Sequence, residues 1–84
     1  MERLERTKRQ RPYKRSIKID GHLTSVSLED GFWDALKEIA ASRNVLLSDL
    51  VAMINRDRRH ANLTSVLRLF ILEHFRVLAS GALR

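Results

Sequence analysis

Polar and apolar side chains alternate over residues 22–28, and from Phe32 onward the apolar positions recur every third or fourth residue. Alternation puts successive side chains on the two faces of a strand, whereas a period near 3.6 marks one face of a helix. In the strand, Thr24, Val26 and Leu28 share one face, and Leu23, Ser25 and Ser27 share the other. A lone strand cannot satisfy its own backbone, so this one must pair. A short strand followed by an amphipathic helix in a small basic chain suits a strand that pairs with its own copy. A nearer partner is also in reach. Residues 15–19 alternate with Ile17 and Ile19 on one side, and Asp20-Gly21 follows them. That dipeptide favours a two-residue type I′ turn, which needs positive φ at both positions. Two arrangements therefore stay open: a hairpin over residues 15–28, or an extended arm and turn that leave only residues 22–28 as strand.

The first helix is expected over residues 30–43. Ser27 and Asp30 have the spacing of a capping box, and Glu29, Asp30 and Asp34 suit the positive end of a helix dipole. Phe32, Leu36, Ile39 and Ala40 form its buried stripe, flanked by Trp33, and Asn44 is a candidate left-handed cap. A second helix is expected from Ser48 as N-cap, with Leu50, Val51 and Ile54 inward, dissolving into the polar stretch 55–62. Asn62 then caps a third helix running to about Arg76. Its inward positions read Leu63, Val66, Leu67, Phe70, Ile71, His74, Phe75 and Leu78, with Leu69 and Leu72 widening the apolar surface. A monomer this small cannot cover so wide a face, which points to burial against a second subunit. The fold class is thus mostly α with a short N-terminal β-ribbon.

Size makes that sharing more pressing. The chain has 84 residues and no cysteine, so one domain must stand on packing alone. At this length only about 60–65% of the unfolded surface is buried. Charge divides the chain. Residues 1–18 hold eight basic and two acidic side chains, while the rest hold eight of each, so the whole net charge of +6 sits at the N-terminal end. Residues 1–14 read as a basic disordered arm and residues 15–84 as the folded domain. Such an arm attracts a polyanion, most often nucleic acid, or serves as a solubilising tail. No signal peptide is legible, and the apolar run 63–83 is interrupted by Arg68, Glu73, His74 and Arg76. The expectation is a cytoplasmic protein away from membranes.

Gly21-His22-Leu23-Thr24-Ser25-Val26-Ser27-Leu28-Glu29, followed by Phe32-Trp33-Asp34-Ala35-Leu36, resembles the ribbon-helix-helix superfamily of DNA-binding proteins, and within it a longer bacterial subfamily. The resemblance covers residues 15–76. It implies an intertwined homodimer in which two chains each give a strand to a ribbon that enters the major groove; the family's two helices per chain leave this chain with an additional helix. It also implies a transcriptional regulator or repressor, with the start of the family's second helix clamping phosphates. That role falls on Asn62, Leu63, Thr64 and Ser65 if the later helix is the match, which makes residues 48–60 an insertion, or on Ser48 and Asp49 if the shorter helix is. Asp49 would repel a phosphate, so the later helix is preferred.

Ribbon chemistry supports the same partner independently, because a two-stranded ribbon fits the major groove, where each base pair shows its own donor–acceptor pattern. The reading face is Leu23, Ser25 and Ser27, with Arg15 and Lys18 joining if a hairpin forms. It is poor in strong readers: serine discriminates bases weakly, and Leu23 can at best touch a thymine methyl. Lys8, Arg9, Arg11 and Lys14 of the arm would lie on phosphates. That weak face and the extra helix keep a second hypothesis open, an oligomer used for protein–protein contact as an antitoxin or adaptor, with assembly beyond a dimer also open. Enzyme chemistry is not expected. His22, His60 and His74 lack metal-ligand spacing, no phosphate loop is present, and no nucleophile sits beside a base. No cofactor is implied. Tyr13 and Trp33 have rings that can stack on bases, but Trp33 falls where a helix meets its core, and His74 is read as a core residue.

Overall fold

The computed structural model describes residues 11–82. Two antiparallel strands, β1 (Tyr13–Ile19) and β2 (His22–Leu28), are followed by three helices, α1 (Asp30–Ser42), α2 (Leu47–Asp57) and α3 (Leu63–Ala82). The hairpin is closed inside one chain. Asp20 and Gly21 both take positive φ, 49° and 86°, as a type I′ turn requires, and Ile19 pairs with His22. Of the two arrangements left open by the sequence, the hairpin is the one observed. A two-residue turn holds β1 beside β2, so the nearest partner is intramolecular. The ribbon also starts earlier than expected: Tyr13 and Lys14, read as part of the arm, belong to β1. Residues 1–10, with Lys8 and Arg9, lie outside the described residues.

Strand alternation then sorts the side chains. Ile19, Val26 and Leu28 are buried on the inner face, where they meet Leu36, Ile39 and Ala40 of α1, Leu50, Val51, Ala52 and Ile54 of α2, and Leu67 and Ile71 of α3. Ile17, Phe32, Trp33 and Phe70 pack around this cluster. The core thus lies between one face of the ribbon and three helices. Each fully buried leucine contributes roughly 1.5–3 kcal/mol.

Caps and connections depart from the sequence reading in three places. Ser27 and Asp30 form no capping box: Glu29 is the N-cap of α1 without a side-chain cap bond, because its carboxylate is taken by Arg68 and that of Asp30 by Arg15. Leu46, not Ser48, precedes α2, and the Leu50 N–H donates to its carbonyl. The reason is the stop of α1. Asn44 adopts φ 60°, the Asn44 N–H bonds Ala41 O, and the Val45 N–H bonds Ala40 O, a Schellman closure that reverses the chain early. The polar stretch is also shorter than expected, since α2 runs to Asp57. Arg58 then folds the link by donating to Asn55 Oδ1 and to the Ala61 carbonyl, both at 2.6 Å. Asn62 caps α3 as expected, its Oδ1 accepting the Ser65 N–H at 3.1 Å. Helix α3 continues past Arg76, and two of the positions expected inward, Phe75 and Leu78, are exposed beside α1.

Candidate nucleic-acid interface

The register of the hairpin builds a second, outward face. Lys14 stands opposite Ser27, Ser16 opposite Ser25, and Lys18 opposite Leu23. Five of these six side chains are exposed and Ser27 is half-buried. The face holds two lysines, three serines and one leucine, with no carboxylate. Neither lysine has an ion-pair partner among the described residues. Lys18, Leu23, Ser25 and Ser27 are therefore brought together as the sequence suggested. Lys14, expected in the arm, joins them, and Arg11 is exposed just ahead of β1. Ser16 escaped the sequence reading, although its signal was present: with Ile17 and Ile19 inward, residue 16 must point outward.

Arg15 belongs to the opposite face. Its Nη2 donates to Asp30 Oδ1 at 3.1 Å, and its guanidinium carbon lies 4.9 Å from the ring centres of both Tyr13 and Trp33. The other Nη is buried without a hydrogen-bond partner. Arg15 thus fixes β1 to the start of α1 and does not stand on the outward surface. Two further pairs hold the ribbon. Arg56 of α2 reaches Asp20 in the turn at 3.3 Å, and Arg68 of α3 donates through Nε and Nη2 to Glu29 Oε1, at 3.2 and 2.7 Å. The Arg68 hydrogen bond, aided by a backbone N–H, holds the Glu29 carboxyl below its ordinary 4.5. Arg68 also lies 5.5 Å from the Phe32 ring centre. These arginines position the ribbon and leave its outer face to lysine and serine.

At the start of α3, Ser65 is exposed and Thr64 half-buried. The Asn62 carbonyl takes the Val66 N–H and its side chain takes that of Ser65, leaving the Leu63 and Thr64 N–H groups at a positive helix end. Among the described residues no group of three His, Cys, Asp or Glu side chains is placed to hold a metal ion. No described helix is long and apolar enough to cross a membrane.

A two-stranded ribbon leading into packed helices, matched over residues 12–75 by the ribbon-helix-helix domain, places this chain in the ribbon-helix-helix domain family. Domains of this family are typically non-enzymatic, dimerise, and are often DNA-binding regulators or antitoxins. The solved structure of an uncharacterized protein from Bordetella pertussis Tohama I is similar, at 35% identity and a TM-score of 0.72. The match covers 83% of this chain and 60% of that one, so this chain spans less than two thirds of its relative's length. No curated protein matches the sequence. Both α2 and the first half of α3 fall within the family match, so residues 48–60 are matched along with the helices on either side.

Proposed function

We propose that this protein is a dimeric DNA-binding transcriptional regulator whose ribbon enters the major groove with its outward face on the bases. The observation that carries the reading is the sorting of charge across the hairpin. Every arginine–carboxylate pair of the ribbon lies on its inner side or at its ends, while the outer face keeps Lys14 and Lys18 beside Ser16, Ser25 and Ser27. The major groove, roughly 12 Å wide, admits such a ribbon. Lysine can reach guanine O6 or N7, and serine can donate to or accept from either neighbour. Arg11 and the basic residues ahead of it, including Lys8 and Arg9, lie on flanking phosphates, and the N–H groups at the start of α3 with Asn62, Thr64 and Ser65 hold another.

Selection of genomic fragments by the purified protein at about 150 mM salt, where non-specific attraction is well screened, tests the reading. Enrichment of a short repeated motif, lost in Ser16→Glu/Ser25→Glu, is the expected result. Recovery of unselected DNA that washes off with salt would reject base reading. A second reading has its own support in the exposed apolar side chains of α3, among them Leu69, Leu72, Val77 and Leu78. In that reading the domain binds another protein, as an antitoxin or adaptor does, and the fragment selection enriches nothing.

A further inference from the structure

Leu23 is the one apolar side chain on the outward face of the ribbon, and among the described residues it is the most exposed of the large apolar side chains, at 76%. It belongs neither to the buried cluster nor to the apolar side chains packed against that cluster. A single exposed leucine is ordinary on a protein surface. This one stands directly opposite Lys18, one pair away from the turn, on a face that otherwise holds only lysine and serine. The pair that closes a two-residue turn exchanges both of its backbone hydrogen bonds, and the pairs alternate from there. Lys18 and Leu23 therefore form a close, non-hydrogen-bonded pair, with Cα atoms about 4.5 Å apart. The carboxylate of the turn, Asp20, is engaged by Arg56 of α2 at 3.3 Å. The tip of the ribbon thus presents one cation and one apolar group side by side.

Those two groups match what the major groove shows on neighbouring bases. Its base edges carry hydrogen-bonding groups and one apolar group, the 5-methyl of thymine, while guanine offers O6 and N7 to a cation. Successive base pairs lie about 3.4 Å apart along the axis. Side chains rooted about 4.5 Å apart therefore meet the same base pair or adjacent ones. Ser16, Ser25 and Ser27 carry no apolar group that could take a methyl, so on this face the contact falls to Leu23 alone. We propose that Leu23 reads the 5-methyl group of a pyrimidine, with Lys18 on a guanine of the same or the next base pair. The ligand chemistry is a 5-methylpyrimidine beside a guanine, supplied by thymine or by 5-methylcytosine. The inference rests on the base-reading function proposed above and names the base chemistry that function takes.

Titration of the full chain against duplexes carrying the motif enriched in the fragment selection tests it. In one set each thymine is replaced in turn by deoxyuridine, which removes only the methyl. In the other each cytosine is replaced in turn by 5-methylcytosine, which adds one. Burying one CH₂-sized group is worth about 0.8 kcal/mol, or about 4-fold at 1.4 kcal/mol per tenfold. A loss of that size at one deoxyuridine assigns the contact to thymine, and a gain of that size at one 5-methylcytosine assigns it to that base. Leu23→Ser, a change at an exposed position outside the core, is expected to abolish either effect. The guanine contact is read with 7-deazaguanine, which lacks N7: a loss in wild type that is absent in Lys18→Ala is expected, and an equal loss in both would overturn the Lys18 contact. A motif at which neither methyl change alters wild-type affinity, or at which Leu23→Ser responds as wild type does, would overturn the Leu23 contact while leaving base reading in place. Failure to enrich any motif would overturn both.

Discussion

Arginine in this protein works mainly as a fastener. Arg15, Arg56 and Arg68 each bind a carboxylate that lies next to the ribbon in sequence or in space, and two of them also cover an aromatic ring. The Glu29–Arg68 pair, with side chains 25% and 33% exposed, joins the end of β2 to the second turn of α3. Because folding lowers the Glu29 pKa from 4.5, the unfolded chain binds more protons as the solution is acidified. The pair's stabilisation is therefore complete above pH 4.5 and is lost as pH falls through the lowered folded value. Glu29→Gln is expected to cost about 1 kcal/mol at pH 7, the scale of a partly exposed charged hydrogen bond. In urea titrations across pH 7 to 3, its difference from wild type should shrink as the pH falls below 4.5. A difference that is flat with pH would mean that the carboxylate charge is not what holds α3 there.

Among the elements, the hairpin turn decides the architecture. Gly21 has φ 86°, and a Cβ placed there meets nothing within 4 Å, so substitution is penalised by backbone conformation alone. A β-branched residue in a left-handed conformation costs on the order of 1–2 kcal/mol. Gly21→Val should therefore lower the unfolding free energy measured in urea by that amount, with the ribbon's outer face otherwise untouched. A neutral result would mean that the turn does not determine strand pairing. Helix α3 has two halves of different character. Leu67 and Ile71 are sealed in the core, whereas Phe75, Val77 and Leu78 remain exposed.

For the whole molecule, the unequal distribution of charge is the main fact. Of the net +6, four positive charges fall on residues 11–18 (Arg11, Lys14, Arg15 and Lys18), and Arg15 is compensated by Asp30. The remaining cations there lie on the outer face of the ribbon or just ahead of it. If that face meets DNA, Lys14→Ala/Lys18→Ala should flatten the dependence of log affinity on log salt by about 1 for each phosphate left unneutralised. Titrations between about 50 and 200 mM salt measure the slope. An unchanged slope would take both lysines off the phosphates and leave them to base contacts or to solvent.

Periodicity and turn chemistry, which are local properties, were enough to define the elements and their inner faces. Alternation exposed Leu23, Ser25 and Ser27, the 3.6 repeat located Leu36, Ile39, Leu50 and Leu67, Asp20-Gly21 encoded the turn, and Asn62 encoded the start of α3. The choice between a hairpin and an extended arm with only residues 22–28 as strand was not settled by alternation. The paired register of β1 on β2 decides it. The same holds for the destinations of the charges. Arg15 looked like a candidate reader because it is basic and precedes a strand, yet the pleat turns it inward to Asp30, Tyr13 and Trp33. The Ser27–Asp30 capping spacing was likewise overridden, since Arg15 and Arg68 claim the carboxylates of Asp30 and Glu29 from 15 and 39 residues away. A side chain's residue type and face can be read along the chain, but its partner is fixed by which elements pack together, and that is decided only when the core closes.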